Sequence, residues 1–119
     1  MVYTVSVSNS SGTAVDDDSI RIVDVLPPEA ELFVDASAGD PIEFTDGTPS
    51  SGLTFDYATA VRYSSQPGGG APFDYLPVPD AGGYDAAVTG IHINPQGVLA
   101  AANASGSPAF TLRYRARIE

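Results

Sequence analysis

The chain has 119 residues, the length of one ordinary domain and too short for two. It carries 15 acidic residues against five arginines and no lysine, and this net charge of −10 argues against partners such as nucleic acid or anionic lipid. The absence of cysteine excludes disulfides, thiol catalysis and thiolate metal sites. With 43% hydrophobic residues and no apolar run of about 18 residues, the chain is expected to be a soluble folded domain without direct membrane insertion.

Two strands are predicted in the first quarter of the chain. From Val2 to Asn9 every second side chain is apolar, which is typical of a half-buried strand. After an acidic connection, the run from Ile20 to Leu26 places Ile22 and Asp24 on one side. Two prolines follow this run and end the strand, because proline has no N–H to donate to a neighbouring strand.

Short alternating runs predict further strands in the middle of the chain, at 32–34, 42–44, 53–57, 61–63 and 73–75. The last two flank the glycine-rich segment 66–70, which predicts a hairpin with a flexible tip. A phosphate loop would need a following helix and usually a lysine, and the sequence has neither here.

A turn is predicted after the segment from Val88 to Ile93. Residues Asn94 to Gly97 have the residue types of a type I turn, with proline second and glycine fourth. Val98 and Leu99 are therefore expected to return as a partner strand. The alanine-containing segment from Val98 to Ala104 is compatible with a helix but too short to decide.

The strand from Ala109 to Ile118 has the clearest pattern. Its apolar residues are expected to face the core: Phe110, Leu112, Tyr114, Ala116 and Ile118. Arg113, Arg115 and Arg117 then share one exposed strip. This strip is expected to pair with acidic residues of neighbouring strands, or to offer a cationic interaction surface. At a sheet edge it would also discourage aggregation.

The pattern as a whole predicts an all-β fold of about seven to nine short strands, with turn signals about every 8–12 residues. Such spacing favours an immunoglobulin-like antiparallel β-sandwich with Greek-key connections, forming a single module over 1–119. The cysteine and tryptophan that pin antibody domains are absent, so this prediction depends on strand number and alternation.

Two sequence motifs add a family resemblance. Tyr3 to Asn9 follows the pattern Y-T-[IV]-x-V-x-N, and Asp24 to Pro27 follows D-x-L-P. With these motifs the chain resembles the conserved repeat domain of bacterial surface proteins, a domain without a known function. The usual continuation x-G-L is replaced here by Pro28 to Leu32.

The resemblance implies an immunoglobulin-like sandwich, often one of several modules in a secreted or cell-wall-associated chain, with no catalytic residues to carry over. No signal peptide precedes the first strand, so the segment is expected to be a module excised from a larger protein. The leading hypothesis is a non-catalytic structural or adhesive module of an exported bacterial surface protein, acting as spacer, stalk or interaction repeat. Its expected location is extracellular or at the cell surface. Its expected partners are neighbouring modules of the same chain, a surface protein or a glycan.

Enzymatic chemistry is not expected, and neither is an organic cofactor. His92 is the sole histidine and would have to act as the base of a nucleophilic triad. It stands between Ile91 and Ile93, which places it on the opposite, solvent face of a strand. The sequence has no G-x-S-x-G motif, and a small sandwich offers little cleft to raise the pKa of a paired carboxyl.

Calcium binding is the first alternative, because this cation prefers several oxygen ligands from one loop. Asp80 and Asp85 enclose two glycines that could turn carbonyls inward, and Asp16 and Asp18 belong to a run of three aspartates. A looser set consists of Asp35, Asp40 and Asp46. The competing interpretation is that these acidic loops keep the surface soluble.

Glycan binding is the second alternative. Aromatic residues are concentrated in the middle of the chain, at Tyr57, Tyr63, Phe73, Tyr75 and Tyr84. Without tryptophan, a sandwich of this size is expected to use most of these rings in its core. A glycan would then bind near Tyr84, through the loops 66–70 and 80–85.

Overall fold

A computed structural model describes residues 2–17, 19–37 and 39–118. In chain order the elements are β1 (Val2–Ser8), β2 (Ile22–Val25), β3 (Ala30–Phe33), β4 (Ile42–Asp46), β5 (Leu53–Thr54), α1 (Tyr57–Ala60), β6 (Val61–Ser64), β7 (Tyr84–Asp85), β8 (Gly90–Ile93), β9 (Gln96–Gly97) and β10 (Ala109–Ile118).

The larger sheet is built around β10, the longest strand. On one side β10 pairs antiparallel with β1, so that Val2 lies opposite Arg115. On its other side β10 pairs first with β4 and then, toward its end, with β3, which in turn pairs with β7. All these pairs are antiparallel. Because β10 is a central strand, the suggested edge-protecting role of its arginines does not apply.

A second sheet has the order β2-β8-β6, again antiparallel, and a short pair joins β5 to β9. One apolar cluster joins the larger sheet to the second sheet. It includes Leu32 and Leu112 from the larger sheet and Tyr63 and Ile91 from the second. Burial of this cluster is the main source of stability in a fold without disulfides. The predicted all-β, antiparallel class is confirmed, while the immunoglobulin-like connection pattern stays a prediction.

The alternation predicted for β10 is confirmed from Phe110 to Ala116, where the apolar side chains are at most 4% exposed. Ile118 is different, because it is 49% exposed. The expectation that it faces the core is therefore wrong. The alternation of apolar residues continues to the end of β10, but no other part of the described structure buries the side chain of Ile118.

Two local expectations in the middle of the chain are also wrong. Tyr57 does not continue a strand but begins α1, because the Asp56 carboxylate accepts the N–H of Ala58 at 3.1 Å and caps the turn. After β8 the chain does not fold straight back through Val98. Instead Gln96 pairs with Thr54 of β5.

The glycine-rich segment 66–70 packs against the second sheet. Gly69 is buried with φ of +72°, and a Cβ atom on Gly90 would stand 2.1 Å from its carbonyl oxygen. The Ser64 hydroxyl donates a hydrogen bond to the carbonyl of Gly70 at 2.5 Å. These glycines allow a close approach of two backbones, and the expected hairpin partner 73–75 is reduced to one bridge between Tyr63 and Tyr75.

Candidate binding site

An aromatic cleft of about 430 Å³ lies beside β6. Its walls come from α1, from β6 and from the extended segment 73–77. The residues that line it, called the aromatic cleft below, are Tyr57, Ala58, Val61, Arg62, Tyr63, Phe73, Asp74, Tyr75, Leu76 and Pro77. An apolar concave surface with a few polar groups is the usual form of a ligand site.

Two tyrosines connect α1 with β6 at the inner wall of the cleft. The hydroxyls of Tyr57 and Tyr63 form a hydrogen bond of 2.6 Å. Burial raises the pKa of both phenols, and for Tyr63 the hydrogen bond to Tyr57 raises its pKa further. A phenol is neutral at physiological pH even at its ordinary pKa, so this wall of the cleft carries no charge.

Asp85 holds the opposite wall in place. Its carboxylate, in a residue only 7% exposed, accepts hydrogen bonds from the Tyr75 hydroxyl at 2.7 Å and from the N–H of Val78 at 2.8 Å. Its second oxygen accepts the N–H of Ala87, also at 2.8 Å. The segment that carries Tyr75 has a single backbone bridge to β6 at Tyr63, so Asp85 is its main polar anchor on β7.

The rim of the cleft is unusually apolar for an exposed surface. Leu76 is 82% exposed, and Val78, just beyond the cleft, is 69% exposed. Arg62 and Asp74 are exposed at the same rim and supply its charged groups. Phe73 contacts the His92 ring with a centroid distance of 5.0 Å. Ligands that combine apolar faces with hydrogen-bonding groups match this mixture.

Asp80 was predicted as a calcium ligand, but its oxygens already have partners within the protein. One oxygen accepts the N–H groups of Gly82 and Tyr84 at 2.8 and 3.0 Å, and the other accepts Arg117 at 2.7 Å. The N–H of Tyr84 is the main cause that lowers the pKa of this carboxyl. Asp80 thus organises its own loop, and it shares no partner with Asp85.

Of the remaining calcium candidates, Asp35 and Asp40 line one small cavity together with Arg115. Asp16 is exposed, and Asp18 lies outside the described residues. Asp35 accepts the N–H of Ser37, and Asp46 accepts groups of Ser50 and Ser51. Within 2–17, 19–37 and 39–118, no group of three or more His, Asp or Glu side chains could hold a metal ion. The calcium site suggested by the sequence therefore has no such cluster among the described residues to support it.

The arginines of β10 lie on the outer face of the larger sheet. Arg117 contacts Glu31 at 3.1 Å and Asp80 at 2.7 Å, as expected for a cross-strand pair. Its guanidinium also lies 4.2 Å from the centre of the Tyr84 ring. Tyr84 in turn packs edge-on against Phe33, so it belongs to this face and not to the aromatic cleft.

His92 stands on the side of β8 opposite two buried isoleucines, Ile91 and Ile93, as the alternation predicts. It is half-buried rather than free in solvent, because Phe73 packs against its ring. Its observed contact is therefore with an aromatic side chain.

Sequence reasoning missed the cleft because its walls come from three separate elements. The signal that could have found it is the spacing of Pro72, Pro77 and Pro79, which favours an extended segment in which Phe73 and Tyr75 share one side.

No helix among the described residues is long and apolar enough to cross a membrane. Comparisons with protein-family models, curated proteins and solved structures found no match for this chain.

Proposed function

We propose that this protein is a non-catalytic adhesive module that binds a neutral glycan in the aromatic cleft. The observation that carries the proposal is that the half-buried rings of Tyr57, Phe73 and Tyr75 line one concave surface, while the fourth ring of the lining, Tyr63, is only 5% exposed. Aromatic rings present flat apolar faces, and the CH-rich faces of sugar rings can stack on them. Arg62 and Asp74, which are exposed at the rim of the cleft, supply hydrogen-bonding groups for sugar hydroxyls.

The charge of the protein selects the class of glycan. Fifteen acidic residues against five arginines give a negative potential that repels anionic sugars. Arg62 is matched by Asp74 within the same cleft, so the cleft has no excess of positive charge to overcome this repulsion. A neutral oligosaccharide therefore fits the cleft better than a uronic-acid or sulfated one.

The setting of the module follows from the sequence resemblance. It supports an immunoglobulin-like module of an exported bacterial surface protein, located outside the cell, with neighbouring modules as partners. The strand order favours adhesion over a stalk role. Because β1 and β10 are antiparallel neighbours, segments joined to Val2 and Ile118 would leave at the same end of the sheet. Modules stacked end to end need connections at opposite ends.

Calorimetric titration with maltotetraose, cellotetraose and chitotetraose tests the proposal. At least one of these neutral sugars should bind. Phe73→Ala should weaken that binding about tenfold, the loss of about 1.4 kcal/mol of stacking energy. Tyr84→Ala, which removes a half-buried ring outside the cleft, is the matched control and should leave the affinity unchanged. Equal weakening by both variants, or no binding of any of the three sugars, would overturn the proposal.

A further inference from the structure

The first strand, β1, forms an edge of the larger sheet and carries no charge. Among the described residues it pairs with β10 alone. The other edge strands of the two larger sheets each contain a charged residue: Glu43 and Asp46 in β4, Asp85 in β7, Asp24 in β2 and Arg62 in β6. Charges and prolines normally protect exposed edges from pairing with other chains, and β1 has neither.

The hydrogen-bond pattern shows which groups of β1 are available. The N–H of Asn9 donates to the carbonyl of Pro108 at 2.9 Å, which fixes the phase of the antiparallel ladder. Residues with odd numbers therefore bond to β10, and Thr4, Ser6 and Ser8 direct their N–H and C=O groups away from it. These groups form a regular row of donors and acceptors along the strand, on the side away from β10.

The core-facing side of β1 is incompletely covered. Val5 and Val7 are only half-buried, whereas their partners on β10, Leu112 and Phe110, are at most 1% exposed. An additional strand beside β1 would cover the remaining apolar surface of both valines. One additional strand beside β1 would thus both pair with its backbone groups and cover its apolar side chains.

From these observations we infer that β1 pairs antiparallel with β1 of a second copy of this chain. The strand is self-complementary about Val5. Val5 lies opposite its symmetry mate, Thr4 opposite Ser6, and Val2 opposite Ser8, so that apolar residues meet on the core side and no charges oppose each other. The two five-stranded sheets become one continuous sheet across a two-fold axis.

The association is weak and depends on salt. Each copy carries a net charge of −10, so two copies repel each other although their contact surface is neutral. A single pair of seven-residue strands also gives a contact at the small end of protein interfaces. Salt screens the repulsion and leaves the strand pairing intact, so the dimer fraction rises with ionic strength.

Sedimentation equilibrium of the full chain, at protein concentrations up to about 1 mM, tests this inference. A dimer should form, and its fraction should increase when sodium chloride is raised. Hydrogen exchange in the dimer should slow at the amides of Thr4 and Ser6. A monomer at all concentrations and salt levels would overturn the inference, and so would a dimer whose protected amides lie at the exposed residues Leu76 and Val78.

Ser6→Pro tests the strand pairing itself, because it removes an N–H that the monomer does not use in its sheet. It should abolish the dimer while the melting temperature of the monomer stays close to that of the parent. Ser8→Ala is the control, because it keeps the backbone donor and should dimerise like the parent. Ser6→Glu gives a second disruption if the proline variant fails to fold, because it places a charge on the edge strand of each copy and adds to the repulsion between two copies of net charge −10. Dimerisation of a folded Ser6→Glu variant at the parental level would contradict the inference.

Discussion

The carboxylate of Asp85 accepts a hydrogen bond of 2.7 Å from the hydroxyl of Tyr75, and this contact joins β7 to one wall of the aromatic cleft. The sequence suggests Asp85 as a calcium ligand. In the structure it is a buried positioning residue with three hydrogen-bond donors around it. The same contact raises the pKa of Tyr75, because the neighbouring carboxylate disfavours a charged phenolate.

Replacement of Asp85 by asparagine should destabilise the fold and loosen the cleft wall. An amide in its place has one acceptor oxygen instead of two, which leaves buried donors without partners at a cost of about 2 kcal/mol. Urea denaturation measures this change. Tyr75→Phe removes a single hydrogen bond and should cost about 1 kcal/mol. The exposed control Asp16→Asn should change little, and equal effects of Asp85→Asn and Asp16→Asn would contradict the anchoring role.

Asp46 should contribute to stability above about pH 4 and lose this contribution in acid. Hydrogen bonds from Ser50 and Ser51 lower its pKa from 3.8 to about 2. Because the folded state binds the proton less readily than the unfolded state, stability falls as the pH decreases from about 4 to about 2. The Asp46→Asn variant should be less stable at pH 7 and show a flatter pH dependence over this range. An unchanged slope would argue against the contribution.

Asp24 should have the opposite effect. It is half-buried on the side of β2 that carries Ile22, and burial raises its pKa above 3.8. A raised pKa means that ionisation is less favourable in the folded state, so stability decreases as the pH rises through the folded value. Asp24→Asn should therefore raise the denaturation midpoint at pH 7 and change it little at pH 3. A lower midpoint at pH 7 would reveal a stabilising partner for the ionised carboxylate.

Calcium at millimolar concentration should leave the melting temperature unchanged. The oxygens of Asp80 and Asp85 already accept hydrogen bonds from the protein, and a cation would have to displace these donors. A ligand that binds only the folded state must raise its melting temperature. Differential scanning calorimetry with calcium and then with a chelator decides the matter, and a chelator-reversible increase would establish a calcium site.

The sequence predicts the individual strands of this protein better than it predicts which strands pair with each other. In β10 the alternation from Phe110 to Ala116 determines which face of the strand is buried, because a shift by one residue would bury arginines. Strand pairing is harder to predict from the sequence, as β9 illustrates. Nothing in the residues near Val98 indicates that the pairing after β8 is made by Gln96 with Thr54, since this contact depends on how β5 and β9 meet in three dimensions.

The cleft and the calcium candidates also depend on contacts that the sequence pattern does not reveal. Tyr57 belongs to a helical turn and Tyr75 to a single backbone bridge, and neither position has a periodic pattern that places it beside β6. Sequence spacing brought Asp80 and Asp85 together as ligands, but their side chains use different partners. Asp80 bonds to Arg117 and its own loop, whereas Asp85 bonds to Tyr75.

The central claim, that the aromatic cleft binds a neutral glycan, is tested most directly by ¹H–¹⁵N correlation spectra during titration with the tightest binder among the three tetrasaccharides. The claim predicts that chemical shifts change at 57–63 and 73–77, with small changes elsewhere. Shift changes confined to Tyr84 and the glycine-rich segment 66–70, or no changes at saturating sugar, would contradict it.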